Sequence, residues 1–166
     1  MSEIKTASRS ASLRRRPATP ADESWLRQLF AQLRGLDPAL LAACPAVLEQ
    51  QWQLQQRVFA SRYPGARTEV LLLEDRPVGL VTLHESDSSM RILELGLDSR
   101  YRGQGLGDDL LSSIVRDADA RGKALELAVM RHNPALRLYR RLGFRPLPDG
   151  GDEVQVQMRR APGHRV

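Results

Sequence analysis

The stretch Arg102-Gly103-Gln104-Gly105-Leu106-Gly107 sets three glycines at alternate positions between a predicted strand and a predicted helix. Glycine accepts positive φ and leaves its amide uncovered, so such a turn can aim several N–H groups at one oxyanion. Together with the positive end of the following helix, those amides suit a pyrophosphate, and Arg102 can add a charge-assisted hydrogen bond. Two familiar phosphate motifs do not fit. No lysine follows Gly107, as a P-loop requires. The glycines read G-x-G-x-G rather than G-x-G-x-x-G, and the nearby acid, Glu126, falls in mid-strand, against the dinucleotide-binding pattern. Taken alone, the glycines fit anion binding and a turn that merely packs helix on sheet about equally well.

A frame for this turn must come from a chain of 166 residues, 42% hydrophobic and 27% charged, which suits one domain with a true core. No apolar run reaches the length of a membrane span, and the N-terminus lacks the apolar stretch of a secretory signal. The single cysteine, Cys44, cannot form an internal disulfide, and His84, His132 and His164 are far apart, so no metal is expected and a cytoplasmic location is. The net charge of +5 is unevenly spread: residues 1–16 carry five bases and one acid, leaving +1 for the other 150. With only 5% aromatic residues available for base stacking, nucleic acid is not the expected partner.

Residues 1–12 are Ser-rich and aperiodic and read as a flexible basic arm, followed by one domain over 13–160 and a tail over 161–166. Leu13–Arg16 reads as a short edge strand. Thr19-Pro20-Ala21-Asp22 has the form of a helix start, and Trp25, Leu26, Leu29, Phe30 and Leu33 continue it to Gly35. Leu36–Pro45 reads as a loop or a short turn of helix. Val47, Leu48, Trp52, Leu54, Val58 and Phe59 mark a second helix, with Gln50, Gln53 and Arg57 on its outer side. Glu69–Leu73 and Val78–His84 read as a hairpin around Glu74-Asp75-Arg76-Pro77, and Arg91–Asp98 is a third strand. A helix from Leu106 to Gly122, a strand Ala124–Met130, a helix opened by Asn133 as N-cap with Pro134 in its first position, and a last strand Val154–Met158 follow, with Arg145–Gly151 as the connection to that strand. The order is β-α-α-β-β-β-α-β-α-β-β: an α/β (α+β) domain with a mixed, mostly antiparallel sheet and helices on both faces.

The second chemical constellation is Asn133-Pro134-Ala135-Leu136-Arg137-Leu138-Tyr139-Arg140-Arg141-Leu142-Gly143-Phe144. With Arg102–Gly107 upstream, the chain resembles the GCN5-related N-acetyltransferase (GNAT) family over about residues 13–160. The resemblance implies acetyl-CoA as co-substrate, with its pyrophosphate on Arg102, Gly103, Gln104, Gly105, Leu106 and Gly107. It implies a V-shaped gap between Arg91–Asp98 and Ala124–Met130, in which pantetheine lies along Leu95, Gly96 and Leu97 as an added strand. Asn133 would touch the pantetheine arm and Tyr139 the thioester sulfur. A phenol with a pKa of about 10 can protonate a departing thiolate, and this reading of Tyr139 is preferred to that of a half-buried packing residue beside Leu138 and Leu142.

An amine must lose a proton before it attacks, and Glu94 is the first choice of base. It alternates in facing with Leu93, Leu95 and Leu97, and Gly96 on its own side would leave space for substrate; the competing reading is a carboxylate paired with Arg91 or with solvent. Glu126 and His84 are weaker choices, and Cys44 reads as a small loop hydrophobe rather than a nucleophile. Asp108 and Asp109 depart from the family pattern, because carboxylates there would repel a CoA phosphate, and Ser99 replaces a frequent proline. The expected activity is acetyl transfer to a small-molecule amine or amino acid, with acceptor loops at Gly35–Pro45 and Leu147–Glu153. The alternative is a non-catalytic CoA-binding module whose basic arm contacts nucleic acid or a protein. No membrane partner is expected, and assembly as a homodimer is left open.

Overall fold

Seven strands form one sheet in the order β1-β2-β3-β4-β5-β7-β6. They are β1 (Leu13–Pro17), β2 (Arg67–Leu73), β3 (Arg76–Glu85), β4 (Ser89–Leu97), β5 (Ala124–Met130), β6 (Arg145–Gly151) and β7 (Gln155–Arg160). Every pairing is antiparallel except that of β4 with β5, so the sheet is mixed and mostly antiparallel. The helices are α1 (Glu23–Leu33), α2 (Pro38–Ala43), α3 (Ala46–Arg62), α4 (Leu106–Ala120) and α5 (Leu136–Arg141). The computed structural model describes residues 13–163; the arm read over residues 1–12 lies outside the described residues.

Local chemistry sets these boundaries. Glu74 and Asp75, both at positive φ, make a two-residue turn whose twist matches the flanking strands, so β2 and β3 pair from Leu73↔Arg76 onward. Ahead of α1, the Asp22 carboxylate accepts from Arg16 (2.7 Å) and from Thr19 N–H (2.8 Å), which holds its pKa below the ordinary carboxylate range. Gly35 and Gly122, both at positive φ, end α1 and α4.

Apolar clusters cover both faces of the sheet. On one, Leu110, Leu111, Ile114 and Ala118 of α4 pack with Leu71, Val81, Met90, Leu125, Phe144 and Met158. On the other, Leu26 and Leu29 of α1 pack on Val70, Leu72 and Leu80, with Leu33 and Trp52 beside them. One sheet shared by two clusters makes a single structural unit.

Three local expectations are corrected. Arg145–Gly151 is not a plain connection but an edge strand, pairing at Arg145↔Arg159, Pro146↔Met158 and Gly151↔Val156 with an irregular register. Its two prolines hide it in the sequence, yet an edge position tolerates missing N–H donors. The helix expected to open at Asn133 begins at Leu136; the Asn133 side chain instead accepts from Ala135 N–H (2.9 Å) and carries the chain through a turn. Gly96 does not leave space for substrate: a Cβ there would stand 2.4 Å from Leu33 Cδ1, so its space belongs to α1.

A Cβ on Gly79 would stand 2.6 Å from the Gly96 carbonyl oxygen. Backbone cannot rotate aside, whereas Leu33 can. Gly79→Ala is therefore expected to destabilise by about 1–3 kcal/mol in urea unfolding, and Gly96→Ala by less. An unchanged midpoint for Gly79→Ala would contradict the close β3–β4 approach.

Candidate active site

β4 and β5 pair only from Ser89↔Ala124 to Ile92↔Leu127. Beyond that point they part, and a cavity of about 370 Å³ opens between Leu93–Leu95 and Ala128–Met130, bordered also by Arg34, Gln55, Asn133 and Tyr139. The break in pairing has a local cause. Leu83 pairs with Ile92 and Thr82 with Glu94, so Leu93 is an extra residue in β4. Such a bulge bends the strand and resets which side chains share a face. Met90 and Ile92 before it, and Leu95 and Leu97 after it, all pack on the α4 side, while Glu94 and Gly96 face α1 and α3. Leu93 thus does not simply share the alternation of Leu95 and Leu97.

The strand edge along the gap has no strand paired to it beyond Ile92. Asp98 N–H donates to Val78 O (2.8 Å), toward β3, and alternation then turns the backbone groups of Leu97 and Leu95 toward the β5 side. The Leu97 carbonyl already accepts from Arg102 Nε (3.1 Å), which folds the start of the glycine turn against the end of β4. Gly103 and Gly105 have φ of +73° and +80°, and Gly105 is the residue before α4, where no side chain caps the helix. The first amides of α4 have no intrahelical acceptor, so they are available to an anion. Asp108, the acid that would repel a phosphate, is paired with Arg141 of α5 at 3.0 Å.

Nothing lies within 4 Å of a Cβ built on Gly105, so the cost of a side chain there is conformational. Gly105→Val should strain the turn by roughly 1–3 kcal/mol or rearrange it. Calorimetry is expected to show CoA affinity weakened about tenfold or more, and unchanged affinity would separate this turn from the site.

Glu94 and Tyr139 border the same cavity. Glu94 Oε2 accepts from Gln55 Nε2 (3.0 Å), and Gln55 Oε1 in turn accepts from Arg34 Nη2 (2.5 Å). Burial pushes the Glu94 carboxyl above its ordinary pKa, and the Gln55 hydrogen bond and Arg34 charge only partly oppose it. Tyr139 is half-buried, edge-on to Phe144 at 5.7 Å between centroids, and burial raises its pKa as well. Arg91, the competing partner for Glu94, instead bonds Gln157 (2.7 Å) and lies 3.8 Å from Glu126.

The remaining sequence choices fall away from the cleft. Glu126 also pairs with Arg159 at 2.9 Å, and the His84 ring lies tilted against Tyr63, 5.4 Å between centroids. Cys44 is an exposed free thiol at the end of α2. In the expected acceptor loops, Asp37 caps α2 and Asp152 accepts from Val154 and Gln155 N–H, so both carboxylates are engaged locally.

Sequence reasoning missed Gln55 and Arg34. The signal for Gln55 lay in the row Leu48, Trp52, Gln55, Phe59, where a glutamine occupies an inward position of α3. Leu54 and Val58, read as buried anchors, are 60% and 39% exposed, while Gln55 is 7% exposed.

A parted parallel strand pair beside a glycine turn and a tyrosine-bearing helix is the arrangement that the resemblance to the GNAT family implies. The acetyltransferase (GNAT) family profile matches residues 27–144, and the chain belongs to that family. It is 33% identical over 97 residues to the human N-acetylaspartate synthetase, covering 49% of this chain and 28% of that protein. It is 39% identical over 59 residues to a Bacillus subtilis (strain 168) protein named as a candidate ribosomal protein bS18-alanine N-acetyltransferase, covering 34% of this chain and 38% of that one. The chain therefore matches well under half the length of these relatives. Among solved structures, PaiA N-acetyltransferase from Thermoplasma acidophilum, in complex with coenzyme A, has the same fold (TM-score 0.63, 16% identity, 90% of this chain and 99% of that one).

Proposed function

We propose that this chain transfers an acetyl group from acetyl-CoA to the amine of a small molecule or amino acid by direct attack. The observation that carries this reading is the parting of β4 and β5 beyond Ile92 and Leu127, where an unpaired strand edge, a half-buried carboxylate and a half-buried phenol border one cleft. Leu95 and Leu97 offer backbone to the pantetheine amides, and Gly96 serves by spacing them. Arg102, Gly103, Gln104, Gly105, Leu106 and Gly107 receive the pyrophosphate, and Asn133 flanks the arm.

The acceptor ammonium gives a proton to Glu94, and the freed nitrogen lone pair forms a bond to the acetyl carbonyl carbon. The carbonyl π pair moves onto oxygen; as it returns, the C–S bond breaks and the Tyr139 hydroxyl supplies the proton to sulfur. The nitrogen's second proton passes through solvent to restore the phenol, and Glu94 releases its proton to solvent, one net proton per turnover. Burial supports both roles: it brings the Glu94 pKa closer to neutrality and keeps the phenol protonated. No helix among the described residues is long and apolar enough to cross a membrane. Cys44, the chain's single cysteine, has no partner for an internal disulfide, which supports a reducing, cytoplasmic setting.

The test is release of free CoA thiol from acetyl-CoA against a panel of amines, amino acids and peptides. Acceptor-dependent release is expected. CoA binding with no release on any acceptor would overturn the catalytic reading.

A further inference from the structure

We infer that the acceptor carries a carboxylate beside its reacting amine and that Arg34 binds this carboxylate, an inference that rests on the acetyltransferase reading above. Among the described residues lining the cleft, Glu94 and Arg34 are the two with formal charge. Arg34 directly follows α1, with its guanidinium 5.1 Å from the Phe30 ring centroid, and no carboxylate among the described residues lies within salt-bridge distance of it. A single hydrogen bond to the neutral Gln55 amide leaves other N–H donors of the fork available to an anion.

Gln55 also fixes the spacing. Its amide nitrogen holds Glu94 at 3.0 Å and its amide oxygen holds Arg34 at 2.5 Å, so the two charged groups stand at most about 8 Å apart. An amine and a carboxylate on one carbon, each making a hydrogen bond of about 2.9 Å, bridge a distance of that order. An acceptor whose amine meets Glu94 therefore brings its carboxylate to Arg34. Arg34 also borders a second groove lined by Leu54, Val58 and Phe59, where an apolar side chain can lie. A peptide N-terminus has an amide where this arrangement calls for an anion, so a free α-amino acid fits better.

The experiment compares leucine, leucinamide, 3-methylbutylamine and an alanine-initiated peptide in thiol release with the full chain. The expected kcat/KM for leucine exceeds that for leucinamide about ten- to hundredfold. Amidation lowers the amine pKa and by itself favours the amide, so the preference opposes intrinsic reactivity. Arg34→Gln should bring the leucine-to-leucinamide ratio near one, and Arg34→Lys should restore part of it. A ratio near one in the unsubstituted protein, a ratio untouched by Arg34→Gln, or preference for the peptide overturns the inference. If CoA binds but no acceptor releases thiol, the catalytic reading fails separately. Calorimetry with leucine and CoA then decides: Arg34-dependent binding upholds carboxylate recognition, and no binding overturns it.

Discussion

Tyr139→Phe is expected to lower kcat by about 10²–10⁴-fold, the range typical of a lost general acid, with CoA affinity nearly unchanged. The substitution keeps the ring and its edge-on contact with Phe144 but removes the hydroxyl. Among the described residues lining the cleft, the Tyr139 phenol is the neutral hydroxyl able to give up a proton. Because burial raises its pKa, the phenol stays protonated throughout the neutral range, and its loss should appear as a lower plateau rather than a shifted limb. Thiol release with the best acceptor measures kcat, and calorimetry measures CoA affinity. A kcat within about twofold of the original is too small a loss for an acid. Tyr139 would then be a packing residue, and the thiolate would take its proton from solvent.

The parts of this site that the sequence displays are those whose chemistry is local. Gly103 and Gly105 need positive φ, and both adopt it. Tyr139 and Asn133 lie in a short segment whose relation to the glycine turn survives along the chain, and the structure brings Asn133, Tyr139 and Glu94 to one cleft. The opening of the cleft is less visible, because it depends on one unmatched residue, Leu93, and a bulge changes register without leaving a mark in an apolar run such as Ile92-Leu93. Gln55 was obscured for a related reason. Its neighbours Leu54 and Val58 are apolar but exposed, so hydrophobicity pointed to the wrong face of α3. Pro146 and Pro148 disfavour a central strand, and only the edge position of β6, a property of the whole sheet, accommodates them.

Glu94→Gln is the counterpart test of the base, and its pH dependence distinguishes catalysis from packing. An amide oxygen at this position can still accept from Gln55 Nε2, so the contact between β4 and α3 is retained. The expected loss in kcat/KM is about 10²–10⁴-fold. In the unsubstituted protein the base works only when ionised, so activity should fall as the pH drops through the Glu94 pKa, at a point above the ordinary carboxylate range. Glu94→Gln should abolish that acid limb. Gln55→Leu removes a hydrogen bond that lowers this pKa, so the limb should move to higher pH. Stability must change in the opposite sense to a structural ion pair. A carboxyl whose pKa is raised in the folded state favours folding when protonated, and that contribution is lost as the pH rises from the unfolded value through the folded one. Above its folded pKa the ionised Glu94 therefore opposes folding, and there Glu94→Gln should leave the melting temperature unchanged or raise it while activity collapses. A marked fall in melting temperature with the acid limb intact would make Glu94 a structural residue, and the proton of the amine would have to leave by another route.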